Sequence, residues 1–241
     1  MVALRAFLFF AFASLLAAAA LDSAPSGPAA DVLERYLAAA QAQQAQMRGV
    51  SMQVDIDASV PTLKKTGKLR GLRNISKLGQ ITYNALNFVG DKTIRNDVIA
   101  RYLTAETRAT TGQSMDIGIT PANYKFKYKG VIEREGRSMH VFQLNPRKKR
   151  LGLFKGELWV DAATYMPLRE SGRMVKNPSV FLKRIDFTRD YEIRDGIAFP
   201  RHVESTIRTR LVGIAKLEIN YGGFSRIDGA QNAAAQPSES Q

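Results

Sequence analysis

The chain changes its hydrophobic period at Gly49. Before it, Val32, Leu33, Tyr36, Leu37 and Ala40 form one apolar stripe at helical spacing. After it, Met52, Val54, Ile56 and Ala58 alternate with Gln53, Asp55 and Asp57, and the alternation recurs along the chain. Tyr124, Phe126 and Tyr128 alternate with Lys125, Lys127 and Lys129; Ile185, Phe187, Tyr191 and Ile193 share a phase opposite Arg184, Asp186, Asp190 and Glu192. Val203, Ile207 and Leu211 form another set, and Leu217, Ile219 and Tyr221 a further one against Lys216, Glu218 and Asn220. Period two is a strand with one face buried and the other wet, the signature of antiparallel pairing. A sheet made of such strands has to cover its apolar side, and a curved sheet wrapped around helices does so.

Punctuation between the runs supports a meander. Glu135-Gly136 lies between Lys125–Glu133 and Met139–Asn145, and Asp195-Gly196 between Tyr191–Ile193 and Ala198–Ile207. An acidic residue followed by glycine suits a two-residue turn whose central residues both need positive φ. Asp31, with Glu34 three residues on, reads as an N-cap and places the first helix between Asp31 and Gly49. Residues 91–103 suit a strand running into a short helix as well as either alone. The expected architecture is mainly β with few helices (α+β): a strongly curved, half-open antiparallel barrel of about nine to eleven strands. An N-terminal helix and short helices would cover its concave face.

The ends of the chain suggest a compartment. MVALRAFLFFAFASLLAAAA carries an early cation, Arg5, then an apolar run that closes in small residues. It fits a signal peptide cut after Ala20, with an uncleaved anchor as the competing reading. Residues 21–30 read as a Pro/Ser/Gly linker, 31–227 as a single domain and 228–241 as a disordered polar tail. The chain has no cysteine, so neither disulfides nor lipid attachment at a cysteine is available. These features predict a periplasmic, monomeric protein. A net charge of +13 favours acidic partners, and export turns the expectation from nucleic acid to anionic membrane surfaces or envelope proteins.

Catalytic and metal-binding signals are thin. The two histidines, His140 and His202, both lie in strand patterns, where a lone imidazole is ordinarily structural. Zinc sets, a P-loop, a dinucleotide fingerprint and a Gly-x-Ser-x-Gly elbow are all missing from the sequence. Asp55, Asp57, Asp186, Asp190, Glu192 and Asp195 alternate outward among cations, as a solvated charged face does, and do not read as an opposed pair for glycoside hydrolysis. No enzyme activity, cofactor or metal is expected.

The informative residues are on the apolar phase. Tyr124, Phe126, Tyr128, Phe142, Phe187, Tyr191, Ile207, Leu217, Ile219 and Tyr221 converge on one side of the sheet if the registers follow the alternation. Two readings fit them: a core beneath the helices, or the lining of a cavity for acyl chains, worth about 0.8 kcal/mol per buried methylene.

Three stretches carry a family resemblance. The opening DVLERYLAAAQAQQAQMRGVSMQVDIDA, the element GELWVDAATYMPLRESGRM and the ending FPRHVESTIRTRLVGIAKLEINYGGF resemble the periplasmic outer-membrane lipoprotein-sorting carriers, the LolA/LolB-like fold. The middle element supplies a Gly-x4-Asp-x2-Thr-x2-Pro spacing at Gly156, Asp161, Thr164 and Pro167. The resemblance implies a curved incomplete barrel whose cavity carries acyl chains of lipoproteins, or a related lipid, towards the outer membrane. It also admits lipid carriers and envelope-stress sensors. The high charge and the run Arg147, Lys148, Lys149, Arg150 depart from the pattern and mark a candidate membrane or partner contact. The alternative expectation is a non-enzymatic envelope module that regulates or scaffolds a protein partner through its basic face.

Overall fold

A computed structural model describes residues 27–111, 117–178, 180–210 and 212–227. The expected signal peptide, most of the linker, the tail and Leu211 lie outside the described residues. Helix α1 spans Pro28–Gln46. Strands β1 (Val50–Val60), β2 (Lys65–Ile75) and β3 (Ile81–Gly90) follow, then a π-helical turn at Ile94–Ile99 that continues into α2 (Ala100–Thr111). Seven further strands complete the order: β4 (Tyr124–Arg134), β5 (Arg137–Pro146), β6 (Phe154–Asp161), β7 (Pro167–Met174), β8 (Leu182–Arg194), β9 (Ile197–Thr209) and β10 (Ile214–Arg226).

Helix α1 starts earlier than its capping signal suggests. Gly27 is the N-cap and Pro28 opens the first turn, so Asp31 lies inside the helix and pairs with Arg35 instead of capping. Proline suits that position because its missing N–H has no helical partner there. Residues 28–30 are therefore helical, not linker.

All ten strands join one antiparallel sheet in the order β3-β2-β1-β10-β9-β8-β7-β6-β5-β4. Every neighbour is a sequence neighbour except β1 and β10, whose pairing runs from Val50–Arg226 to Ser59–Lys216. Among the described residues β3 and β4 are the sheet's edges, so the sheet curls without closing, and the turn and α2 lie in the connection between them. Both acidic-glycine turns form as their chemistry requires. Glu135 and Gly136 have φ of 54° and 73°, Asp195 and Gly196 of 50° and 73°.

Curvature has identifiable sources. Register shifts at Arg70/Leu72, Tyr128/Gly130 and Asp190/Tyr191 add local twist. Where β6 meets β7, Gly156 faces Gly172, and a Cβ on Gly156 would sit 1.9 Å from the Ser171 carbonyl oxygen. Only glycine admits so close an approach of two strands. Beyond it, Asp161 Oδ1 accepts from the Thr164 N–H at 2.8 Å and the Thr164 hydroxyl at 2.9 Å, and Pro167 begins β7. The Gly-Asp-Thr-Pro spacing is thus a folding device, a tight crossing followed by a side-chain-closed turn.

The covering helices are small for the sheet. An α1 of 19 residues and the segment 94–111 are each about 27–29 Å long and about 10 Å wide. Ten strands of about eleven residues would present about 1,700 Å² per face if flat. The helices pave roughly a third of that, so the sheet has to curl around them. Two cores result. Val54, Ile56, Leu217 and Ile219 pack with Ile94, Ile99 and Leu103; Tyr124, Phe142, Leu158 and Val160 pack with Val32, Leu33 and Tyr36.

Candidate functional site on the concave face

The strand registers place all ten sequence-selected apolar residues on the inner side of the sheet. Tyr128 opposes Phe142, which opposes Leu158; Phe187 opposes Ser205, which opposes Leu217; Tyr221 opposes Val54. They do not form one patch. Tyr124, Phe126, Tyr128, Phe142 and Phe187 gather beneath α1, while Ile207, Leu217, Ile219 and Tyr221 gather beneath α2. In the first group the rings make a continuous strip: Tyr128–Phe142 centroids are 5.3 Å apart, Phe126–Phe142 5.9 Å, Tyr124–Phe126 6.5 Å, Tyr124–Phe154 5.8 Å and Phe154–Phe187 5.0 Å. These tilted and edge-on contacts are the favoured aromatic geometries.

Packing sorts the set further. Tyr124, Phe142, Leu217 and Ile219 are at most 3% exposed, whereas Phe126, Tyr128, Phe187, Ile207 and Tyr221 are half-buried around them. The first four form the floor; the others line apolar surface that the helices do not seal. Burial also pushes the Tyr124 phenol up to about 12, and its oxygen accepts from the Phe154 N–H at 3.2 Å. Two open cavities of about 480 and 490 Å³ are lined by Asp57, Lys68, Lys216 and Glu218, and by Arg137, Asp161 and Thr164. Neither is lined by the aromatic strip.

Tyr191 belongs to something the alternation did not reveal. Its hydroxyl donates to Glu170 Oε1 at 2.7 Å, and Arg189 donates to Glu170 Oε2 at 3.1 Å. On the α2 side, Arg73 donates to Glu106 Oε1 at 2.8 Å, the Tyr83 hydroxyl donates to Glu106 Oε2, and the Tyr102 and Tyr221 hydroxyls lie 3.3 Å apart. Burial alone would push the Glu106 carboxyl up; the Arg73 guanidinium and the Tyr83 bond hold it below the usual carboxylate range. Burial likewise opposes the charge on Arg73, yet Glu106 raises its pKa overall. Arg189 also favours the Glu106 charge, which links the two pairs electrostatically. The concave face therefore has apolar flanks and a polar centre in which each guanidinium meets a carboxylate.

A sequence signal for this centre existed. Arg73 shares a phase with Leu69 and Ile75, Glu170 with Leu168, and Arg189 with Phe187 and Tyr191. A charge in the apolar phase of a half-buried strand needs a partner, and each of these has one.

The cation run divides in two. The Arg147 N–H donates to Asn123 O at 2.8 Å and its Nε to Pro121 O at 2.8 Å, and Arg150 donates to Asn123 Oδ1, tying the β5–β6 connection to the segment before β4. Lys148 and Lys149 stand in solvent. Trp159 is on the convex face, its indole N–H on Glu157 at 3.0 Å and the Arg169 guanidinium 5.2 Å from its ring. Among the described residues, no group of three or more His, Asp or Glu could hold a metal ion, and no helix is long and apolar enough to cross a membrane.

No family model matches the chain, and no curated protein matches it. Solved structures do. The chain is similar to a DUF1329 family protein from Desulfovibrio piger ATCC 29098, at 14% identity and TM-score 0.45, with 86% of this chain and 98% of that one covered. It is similar to a putative outer membrane lipoprotein-sorting protein domain from Vibrio parahaemolyticus, at 14% identity and TM-score 0.44, covering 83% and 98%. A third likeness is to the LolA superfamily protein NE2245 from Nitrosomonas europaea, at 14% identity and TM-score 0.41, covering 88% and 99%. Likenesses at this level leave the reading of the chain to its own geometry.

Proposed function

We propose that the chain is a periplasmic carrier that takes acyl chains, of lipoproteins or of a related lipid, between its curved sheet and helix α1, for transport towards the outer membrane. The observation that carries this reading is the strip Tyr128–Phe142–Phe126–Tyr124–Phe154–Phe187. It is a continuous aromatic surface covered by one helix that anchors through Val32, Leu33 and Tyr36. An acyl chain entering there exchanges helix contacts for its own, so its net gain is smaller than full burial from water but still grows with each methylene. The polar centre keeps its ion pairs out of that strip and orients α2 through Glu106, so the α2 half stays closed while the α1 half opens. On this reading the protein catalyses nothing and needs no cofactor, residues 1–20 are an export signal, and Phe126, Tyr128 and Phe187 touch the cargo first.

The test is uptake of a fluorescent acyl probe by the purified protein, with native mass spectrometry for co-purified lipid. Trp159 faces away from the strip, so the probe and not the tryptophan must report. Saturable uptake, weakened by Phe126→Asp or Phe187→Asp in folded protein, supports the reading. If neither bound lipid nor probe uptake is found, the carrier reading is lost and a partner-binding envelope module takes its place.

A further inference from the structure

The two rims of the sheet differ in charge and in what they expose. At one rim lie residues 61–64, 147–153, 175–178, 180–181, 210 and 212–213 of the connections, together with residues 117–123 before β4. None of these segments contains an Asp or Glu; the carboxylate at the end of β3 on the same rim, Asp91, is paired with Lys65 at 3.3 Å. The opposite rim carries Glu135 and Asp195 in its turns, and three of its cations, Arg134, Arg137 and Arg194, pair with Glu135, Asp161 and Glu192, while Arg48 and Lys77 form no ion pair among the described residues. On the first rim, Lys64, Lys148, Lys149, Lys176, Lys183 and Arg208 form no ion pair among the described residues.

Apolar side chains protrude among these cations. Val180 is 79% and Phe181 55% exposed, with Leu63 at 42%, Leu151 at 39% and Ile214 at 37%. The segments are joined along the rim. Arg210 donates its backbone N–H to Phe181 O at 2.9 Å and its Nε to Val180 O at 2.8 Å, holding the β7–β8 connection against the β9–β10 turn. The Val175 N–H donates to Leu153 O at 3.0 Å, joining that connection to the β5–β6 one, and a Cβ on Gly213 would lie 2.8 Å from Thr62 Oγ1.

We propose that this rim is a docking edge for an anionic bilayer: the cations meet lipid phosphates, and Val180 and Phe181 enter the interface between them. The chemistry selects this occupant. Cations without carboxylate partners, spread over several loops, suit a diffuse negative surface, and an exposed Val-Phe pair held by Arg210 suits the apolar layer just below it. The inference rests on the carrier reading for its purpose. The aromatic strip under α1 ends at this same rim with the buried Leu153 and Tyr124, so docking would hold α1 and the strip beneath it next to the lipid.

Flotation of the purified protein, its N-terminus established by mass spectrometry, with phosphatidylglycerol or phosphatidylcholine vesicles tests the proposal. Wild type is expected to float with the anionic vesicles and not with the zwitterionic ones. Val180→Ser/Phe181→Ser should weaken binding about tenfold or more. Serine at Lys148, Lys149, Lys176 and Lys183 should weaken it about fivefold per cation. Leu78→Ser, an apolar side chain 82% exposed on the opposite rim, should change nothing. Should the double serine variant fail to fold, Phe181→Trp in a Trp159→Phe background gives a second readout, a blue shift on adding anionic vesicles. Unchanged flotation of a folded Val180→Ser/Phe181→Ser, equal binding to both vesicle types, absence of binding to either, or a tryptophan at 181 that does not shift overturns the docking edge. Acyl-probe uptake measured without vesicles separates the two readings. Lost flotation with intact uptake bears on the rim alone, and absent uptake with intact flotation removes the carrier and leaves the rim.

Discussion

Glu106 is the residue on which the α2 half of the concave face depends. It accepts from Arg73 on β2 and Tyr83 on β3, so one carboxylate ties a helix to two strands. Glu106→Gln keeps the shape and removes the charge, leaving Arg73 buried without its counter-ion; the expected loss is about 2–3 kcal/mol in urea unfolding at neutral pH. The pH dependence has a definite sign. Because folding lowers the Glu106 pKa, its contribution is present above the unfolded value of about 4.3 and is lost as pH falls below it through the folded value. The stability gap between wild type and Glu106→Gln should therefore shrink in acid; a gap constant from pH 7 to pH 3 would show that the charge is not what matters. Gly156 sets a different limit. A Cβ 1.9 Å from a backbone carbonyl cannot be relieved by turning a side chain. Gly156→Ala should cost more than about 3 kcal/mol or abolish folding, whereas Gly136→Ala, with open space around it and φ of 73°, should cost about 1 kcal/mol.

At the scale of elements, α1 is a lid with few anchors. Val32, Leu33 and Tyr36 bury about 1.5–3 kcal/mol each, and the paired hydrogen bonds of Gln43 with the Ala198 backbone fasten its far end. Leu33→Asp should release the helix and leave the sheet. Hydrogen exchange would then rise over residues 28–46 only, and acyl-probe uptake would increase several-fold; protection lost across the strands as well would make α1 part of the core and not a lid. The elements differed in how clearly the residues announced them. The two acidic-glycine hairpins were legible because a two-residue turn has few conformations and its chemistry is local. The segment 91–111 was not. Its buried anchors Ile94 and Ile99 are five residues apart, a spacing set by the π-helical turn, so neither the helical nor the strand period fits. The start of α1 was misjudged for a related reason: Asp31 carries the chemistry of a cap, but Pro28 and Gly27 provide the geometry of one.

For the whole molecule, interior and rim should respond to salt in opposite ways. Uptake into the aromatic strip involves no net charge and should hold steady between about 0.05 and 0.5 M salt, while association with anionic vesicles should fall steeply over that range. A saturating acyl ligand, at a hundredfold over its dissociation constant, should stabilise the folded protein by about 2.7 kcal/mol. Calorimetry with and without ligand at both salt concentrations separates the two effects, and a ligand shift that vanishes in high salt would place binding on the cationic surface instead. Alternation by itself determined the antiparallel sheet, the side on which the aromatic residues lie and the two tight turns, because side-chain direction in a strand and φ in a two-residue turn are local properties. Only the tertiary structure decided that β1 pairs with β10, that the inner face divides between two helices, and that Arg73, Glu106, Glu170 and Arg189 meet at its centre. Those outcomes depend on contacts between residues far apart in the chain, such as Val50 with Arg226 and Arg73 with Glu106, which no local period encodes.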